Sequence, residues 1–479
     1  MKQLIITLIL LVGFTSRLCG QTTWHVATNG VNTNSGLDWT SPYLTIDKAV
    51  GQAANGDTIF VSNGVYEISN YILVKKAVHL RSVSGPEATV VSGAGTHRIF
   101  WIDGVQASIS GFTITNGYLP SGYGAGVWMT GGVVSNCIIT GNSNASYGGG
   151  IYSSAGLVTH CRIYGNDGSN GGGMYSAGGR ISNCLFEQNA GSLGAGVVLL
   201  NDAVGLYDSV LCNNQASGGG GGIYIQESTS MVYNCEVYSN TVTGTRGGGI
   251  YVNNCTPHLE NIKVFSNRTG SDSGDNFNGG GGIWCSAPNG EKVVIRNALI
   301  YNNYSYESGG GIYSYNSSII ENSTIVSNYA AFHSGKNYGG GGGITVYNMA
   351  GATNIVRNCI LQLNGCAYGA DNWQFRQEKG SVTYTNNCMG PGAFRNIFYT
   401  LPPASFGGGN FSDDPMFVDR ESNDWHLQRG SPCINTGIQQ DWMTSAVDID
   451  GQPRLDWLRG IADVGCYEYV PSGTMITIR

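Results

Sequence analysis

The sequence predicts an all-β fold, a single-stranded parallel β-helix solenoid. Three observations carry that expectation. A glycine-rich triplet followed by an apolar residue recurs at 124–127, 148–151, 171–174, 194–197, 220–223, 247–250, 280–283, 309–312 and 341–344, with spacings of 23 to 33 residues. Each copy travels with a second signal, a small or apolar residue five positions before an Asn: Cys137/Asn142, Cys161/Asn166, Cys184/Asn189, Ser209/Asn214, Cys235/Asn240, Ile262/Asn267, Ala298/Asn303, Ser323/Asn328 and Cys359/Asn364. Within a unit the apolar residues alternate with period two, as in Cys137 and Ile139 or Cys235 and Val237, and no helical stripe interrupts them.

A period in the twenties marks a unit that cannot bury its own apolar face and must stack on copies of itself. Gly takes positive φ at no steric cost and Asn tolerates the left-handed region, so both are expected to mark corners between short strands. Strands stacked in parallel with tight corners make a β-helix, in which equivalent residues of successive coils form ladders roughly 4.8 Å apart. The Cys column is one such ladder and points inward. Its replacement by Ser209, Ile262, Ala298 and Ser323 argues for packing, and parallel Cβ atoms ~4.8 Å apart exceed the ~3.8 Å of a relaxed disulfide.

Taken in order, residues 1–20 read as a secretory signal peptide: Lys2 precedes an apolar stretch over 4–14, and cleavage is expected after Gly20. Loss of Lys2 and Arg17 from the 24 basic residues leaves 22 against 31 acidic ones, a formal charge of −9. That balance provides no basic footprint for nucleic acid or an anionic membrane. Residues 21–56 form an N-terminal cap, in which Leu44, Ala49, Val50 and Ala53 fall on one face of a short helix ending near Gly56. Such a cap shields the first coil's open edge and interior.

The solenoid is expected over 57–400. Its early coils are irregular, with strand-like runs at 59–61, 72–74, 78–80 and 109–114. Over 401–470 Asp and Pro rise and the repeat is lost, which marks a separate C-terminal module, and 471–479 is a short tail. Twelve Cys follow the signal peptide, and Cys433 and Cys466, which share the C-terminal region, are the candidate disulfide pair. No later apolar stretch is long enough to span a bilayer.

The repeats, with Gly-Gly-Gly-Ile and the apolar-x-x-Asn signal of Ile163 to Asn166, Phe186 to Asn189 and Val237 to Asn240, resemble those of polymorphic outer membrane proteins. They also resemble the wider pectate-lyase-like, right-handed parallel β-helix superfamily. The right hand follows from that resemblance and from the rule for parallel crossovers. The C-terminal stretch, with Asp414-Pro415-Met416-Phe417, Trp425-His426-Leu427, Gly430-Ser431-Pro432, Asp448-Ile449-Asp450-Gly451-Gln452-Pro453-Arg454 and Asp463-Val464-Gly465-Cys466-Tyr467-Glu468, resembles the choice-of-anchor Q domain of secreted bacterial proteins. In that family a variable cell-surface anchor usually follows; here eleven residues follow Glu468. The resemblances imply a secreted or cell-surface protein.

Parity places Trp128, Tyr152, Tyr175, Tyr224, Tyr251, Trp284 and Tyr313 on one outer face. Sugar C–H faces pack on aromatic faces, so the column is a candidate carbohydrate platform together with Tyr164 and Tyr238. Aromatic ladders also stabilise parallel sheets without binding anything. The residues after the Cys column point outward too and carry charge: Arg162, Glu187, Glu236 and Lys263. A polysaccharide lyase needs clustered carboxylates for Ca²⁺ and a Lys or Arg base, and a hydrolase needs two carboxylates. Glu187, Asp208 and Glu236 are the candidate acids and Arg162 or Lys263 the candidate base. Asp448-x-Asp450-Gly451 is a fragment of a calcium loop or an Asx-type turn, the seven His residues show no metal-ligand spacing, and His160 fits a turn.

No lyase motif is recognised, which favours a monomeric binding protein for polysaccharides or cell-surface glycans, with no cofactor unless Ca²⁺. The alternatives are a polysaccharide lyase or glycoside hydrolase, and a structural spacer.

Overall fold

Each repeat closes one coil of short strands, and each strand pairs in parallel with its counterpart one coil on. The structure, a computed structural model, describes residues 21–471 apart from 144, 202–203, 245, 271–277, 332–339, 348–351, 368–373, 380, 391–393, 397–404, 407 and 457–458. The segment read as a signal peptide, 1–20, therefore lies outside the described residues, as does most of the tail.

One coil shows the plan. Strand Ile151–Thr159 supplies two straight runs on either side of Gly156, Arg162–Tyr164 supplies the third and Asp167–Asn170 the fourth. We call the four parallel stacks ladders one to four, with ladder one starting after each glycine-rich triplet. Ladder one continues through Met174–Ser176, Val197–Leu200 and Ile223–Gln226, and ladder three through Leu185–Glu187, Val210–Cys212 and Glu236–Tyr238.

The Cys column faces one continuous apolar core. Its thiols donate to the carbonyl two residues back, at 3.2 Å for Cys137 and Cys359 and 3.3 Å for Cys161, Cys184 and Cys235. Ser209 and Ser323 make the same bond through a hydroxyl, at 2.7 and 2.8 Å. Packing and one weak donor thus define the column.

The signal Asn does not mark the corner itself. Asn142, Asn166, Asn189 and their successors to Asn364 are buried, and from Asn142 to Asn328 each side-chain amide donates to the Asn Oδ1 of the next coil at 2.9–3.1 Å. Left-handed backbone falls instead on the residue before it, such as Gly141 and Gln188, and on the residue before the Cys column, such as Asn136, His160 and Asn183. Asn is needed at the signal position because a short amide is both donor and acceptor, so the stack satisfies itself in the dry interior. Glycine is needed opposite it: a Cβ on Gly150 would lie 2.5 Å from Gly173 O and 3.2 Å from the Asn166 side chain.

At the N-terminal end, strand Thr23–Val26 adds a rung to ladder two by pairing with Thr58–Val61. Helix Ile46–Gln52 buries Ile46, Ala49 and Val50, with Ala53 at its end. Leu44, expected on that face, precedes the helix and is 42% exposed. The run expected at 109–114 divides into Ser108–Ser110 and Thr113–Thr115, because Gly111 turns a corner with φ 83°.

The C-terminal module begins with an antiparallel pair, Phe417–Asp419 and Asp424–Leu427, and lies along the flank of the last coils. Leu299, Val326, Ile360 and Cys388 of the solenoid share a second core with Phe417, Trp425, Val464 and Tyr467 of the module. The corner residues seat its backbone: Asn297 and Asn358 donate to Val447 O and Ile438 O at 2.8 Å, Asn386 to Thr436 O at 3.0 Å, and Asn322 to Asp463 O at 3.3 Å. The twelve described cysteines are free thiols, and the expected Cys433–Cys466 pair is not formed. Cys466 is held by the solenoid, its N–H donating to Thr324 Oγ1, while the Cys433 thiol faces Cys388. Among the described residues no helix is long and apolar enough to cross a membrane.

Candidate functional site: an aromatic column open on one half

Strand register places one residue from each coil of ladder one in a single column, aromatic except at Val198: Trp101, Trp128, Tyr152, Tyr175, Val198, Tyr224, Tyr251, Trp284 and Tyr313. Val198 divides it in two. Beyond it Tyr224, Tyr251, Trp284 and Tyr313 are buried, at 5, 7, 3 and 0% exposure, in a cluster of their own outside the main core. The expectation that all seven predicted residues form an open platform is therefore corrected for these four. Arg246 lies 5.1 Å over the Trp284 ring and donates to Tyr251 Oη at 3.2 Å, and Tyr315 and Tyr347 stack on from Trp284. Parity was read correctly, but parity says nothing about what covers an outward face.

Before Val198 the column stays half-buried, and a second row widens it. Trp101 and Trp128 stack at 4.5 Å, and Tyr152 and Tyr175 at 5.6 Å. Tyr123 and Tyr147, each just before a glycine-rich triplet, stack at 5.4 Å, with Tyr123 4.6 Å from Tyr152 and Tyr147 5.0 Å from Tyr175. Tyr71 flanks Trp101 at 5.9 Å. Trp101, Tyr123, Tyr147 and Tyr71 escaped the sequence reading. Trp101 has no triplet before it, whereas the position before the triplet was a usable signal for Tyr123 and Tyr147.

Arg98 anchors this patch. Its Nε donates to Gly124 O at 3.0 Å and its Nη2 to Tyr123 O at 2.6 Å, while the guanidinium lies 4.7 Å over the Trp128 ring. Burial pulls its pKa down to about 10, which leaves it cationic at neutral pH. Burial, then the neighbouring Tyr hydroxyls, push Tyr175 up to about 12 and raise Tyr152. The patch thus presents neutral hydroxyls and ring edges around one cation.

The segment just before Tyr123 borders a second feature. Pro120 ends a trough of about 560 Å³ on ladder four, lined by Asp167, Ser169, Ser192, Gln215 and Ser217. Short side chains on successive coils keep its floor low and polar.

The charged candidates lie on ladder three and fall into separate pairs. Arg162 Nη2 is 3.1 Å from Glu187 Oε2 and its guanidinium covers Tyr164 at 4.4 Å; Lys263 Nζ is 3.5 Å from Glu236 Oε1. The coil of Val210 and Cys212 lies between the pairs, and Asp208 sits at a corner, accepting from Asn234 at 2.7 Å. Each acid faces its own partner, and the three do not converge. Tyr238 continues into a stack with Phe265 and Tyr301 that ends against Trp425 of the module.

At the suggested calcium-loop fragment, Asp448 Oδ1 accepts from Asp450 N and Gln452 N and its Oδ2 from Glu468 N, while Asp450 binds His426. That is an Asx-type turn. Among the described residues no group of His, Cys, Asp and Glu is arranged to hold a metal ion.

Residues 91–264 match the family described as "Right handed beta helix region". The solenoid is accordingly a right-handed parallel β-helix. No curated protein matches the chain. Solved structures with similarity include pectate lyase Pel9A, at 17% identity and TM-score 0.37, covering 94% of this chain and 97% of that one. XylC in complex with xylose follows at 10% identity and TM-score 0.36, covering 94% and 99%. The PL6 family alginate lyase AlyGC is 14% identical with TM-score 0.39, covering 82% of this chain and 56% of that one.

Proposed function

We propose that the chain is an exported or surface-held glycan-binding protein that holds an extended polysaccharide lengthwise on its N-terminal coils without cleaving it. One observation carries the reading: the outward aromatic column is sealed beyond Val198 yet left accessible from Trp101 to Tyr175, where Tyr123 and Tyr147 widen it. An aromatic surface left uncovered on an otherwise well-packed protein marks an interaction site. Where rings stack on each other they spend their faces, so the patch offers edges and Tyr hydroxyls, with Tyr123, 41% exposed, as its most accessible ring. Edges and hydroxyls in rows one strand spacing apart suit a polyhydroxylated chain running along the axis. The adjoining polar trough extends the track.

The test is affinity electrophoresis of the chain without residues 1–20 through gels containing plant, algal or host polysaccharides, with mass spectrometry of the polymer. At least one polysaccharide is expected to retard the protein and stay intact, and a Tyr123→Ala/Trp128→Ala variant is expected to migrate freely. Unchanged retardation of that variant overturns the site. Shortened or unsaturated products that vanish in Glu236→Gln or Lys263→Ala would establish the catalytic alternative instead.

A further inference from the structure

Two cysteines meet where the C-terminal module is seated, and neither belongs to the inward ladder. Cys388 is on ladder three, paired with Ile360 on the outward side; its Sγ donates to Asp413 O at 3.2 Å. Cys433 sits in a turn in which Ser431 Oγ donates to Pro415 O at 2.7 Å and accepts from Cys433 N at 3.1 Å. Since Asp413 and Pro415 are two residues apart, these bonds carry both cysteines to one spot. There the two side chains share one buried cluster, each at 0% exposure.

We propose that Cys388 and Cys433 are a disulfide-forming pair that locks the C-terminal module to the solenoid when the chain meets a small disulfide oxidant. The step is thiol–disulfide exchange. Transient detachment of the module exposes one cysteine, whose thiolate attacks a sulfur of the oxidant RSSR and expels RS⁻; on reseating, the second cysteine's thiolate displaces the other RS⁻ from the mixed disulfide and closes the protein disulfide. The two thiol protons end on the two RS⁻, so RSSR is reduced to two RSH as the chain loses two electrons. The inward ladder is unsuited to this chemistry, because parallel strands hold its Cβ atoms ~4.8 Å apart where a disulfide wants ~3.8 Å. Cys433 approaches from a separate segment and is free of that constraint. The bond would close the loop that carries the hairpin of the module, so it would oppose detachment.

To test this, the full chain is brought to equilibrium in glutathione redox buffers, then denatured, alkylated and digested, with melting followed in parallel. The expected result is a joined Cys388–Cys433 peptide, alkylated Cys466 and ladder cysteines, and a Tm about 3 °C or more above that of the reduced chain. Cys433→Ser, or Cys388→Ser if the first does not fold, should melt alike in both buffers and like the reduced chain. Separately alkylated Cys388 and Cys433 in the most oxidising buffer, joining of any other pair in their place, or a Tm increase that survives the Ser variant would overturn the proposal.

Discussion

The two halves of this solenoid repeat the same positions and use them oppositely. At the corner before the Cys column, Asn136, His160 and Asn183 are exposed, whereas Asn297, Asn322 and Asn358 are fully buried and seat the backbone of the C-terminal module. On ladder three, Arg162 and Glu187 face solvent in one half, and in the other Leu299, Val326 and Ile360 build a second core against Trp425 and Val464. On ladder one the aromatic column is open before Val198 and sealed after it. The repeat therefore fixes where a side chain points, and what packs against it fixes what it does. Burial in the second half stabilises the module's attachment; exposure in the first half leaves surface for a ligand.

The interior should be indifferent to this division, and that is where the largest effect lies. Asn166 and Asn328 hold equivalent places in the amide stack, each linking the coil before to the coil after. Asn166→Ala and Asn328→Ala each strand several buried donors and acceptors, at a cost of about 3 kcal/mol or more. Thermal melting is expected to fall by similar amounts for both; a drop in only one half would show that the stack is not a common spine.

At the corner the halves should separate. Asn183→Gly and Asn358→Gly both keep a residue content with positive φ, so backbone strain cancels in the comparison. Asn358 loses the bonds from Nδ2 to Ile438 O and from Ile438 N to Oδ1, each 2.8 Å, and a third within the solenoid from Nδ2 to Asn322 Oδ1 at 3.2 Å. Asn358→Gly should destabilise the module by about 2 kcal/mol and Asn183→Gly by less than about 0.5 kcal/mol. Hydrogen exchange over 411–470 reads the first, and equal protection in both variants would remove the clamp.

For binding the order reverses. Tyr123→Ala is expected to weaken a retarding polysaccharide by tenfold or more, about 1.4 kcal/mol, with a small effect on melting. Tyr251→Ala, in the sealed half, should lower melting and leave binding unchanged once the protein is folded. Loss of binding only through Tyr251 would move the site to the covered half.

Periodicity disclosed what is local and repeated: the coil, the inward Cys column, and the outward parity of Trp128 through Tyr313. It misjudged what depends on chemistry inside the coil, since an Asn that stacks amides and an Asn that turns a corner look alike in sequence; Asn142 and Asn136 are the example. It could not show what depends on contacts far apart in the chain. Tyr224, Tyr251, Trp284 and Tyr313 looked like Tyr152 because parity gives the direction of a side chain and not what packs on it: Arg246, at the position before its triplet that Tyr123 and Tyr147 hold in theirs, packs on Tyr251 and Trp284, and Tyr315 stacks on Trp284. The Cys433–Cys466 pair is not formed although Val464 N donates to Cys433 O at 2.9 Å, because Cys466 is held against the solenoid through Thr324.

The smallest effect concerns how the module closes, and it has a sign that can be worked out. His426 Nδ1 lies 2.5 Å from Asp424 Oδ1 and its Nε2 2.6 Å from Asp450 Oδ2, with the ring against Tyr467 at 3.9 Å. Burial alone would lower its pKa, but the hydrogen bonds to Asp450 and Asp424 and their charges outweigh it and raise the value. A folded pKa above the unfolded value of ~6.5 means that the imidazolium's contribution is complete below ~6.5 and is lost as pH rises through the folded pKa. Above that point two carboxylates face a neutral ring. Hydrogen exchange of the hairpin should therefore quicken as pH rises past ~6.5, after correction for the intrinsic pH dependence, and the solenoid's first half should not respond. His426→Gln keeps hydrogen-bonding groups without the charge and should flatten that response. A pH response that persists in this variant would place the titrating group elsewhere in the module, with Asp463 and Glu468, whose pKa values burial raises, as the next groups to replace.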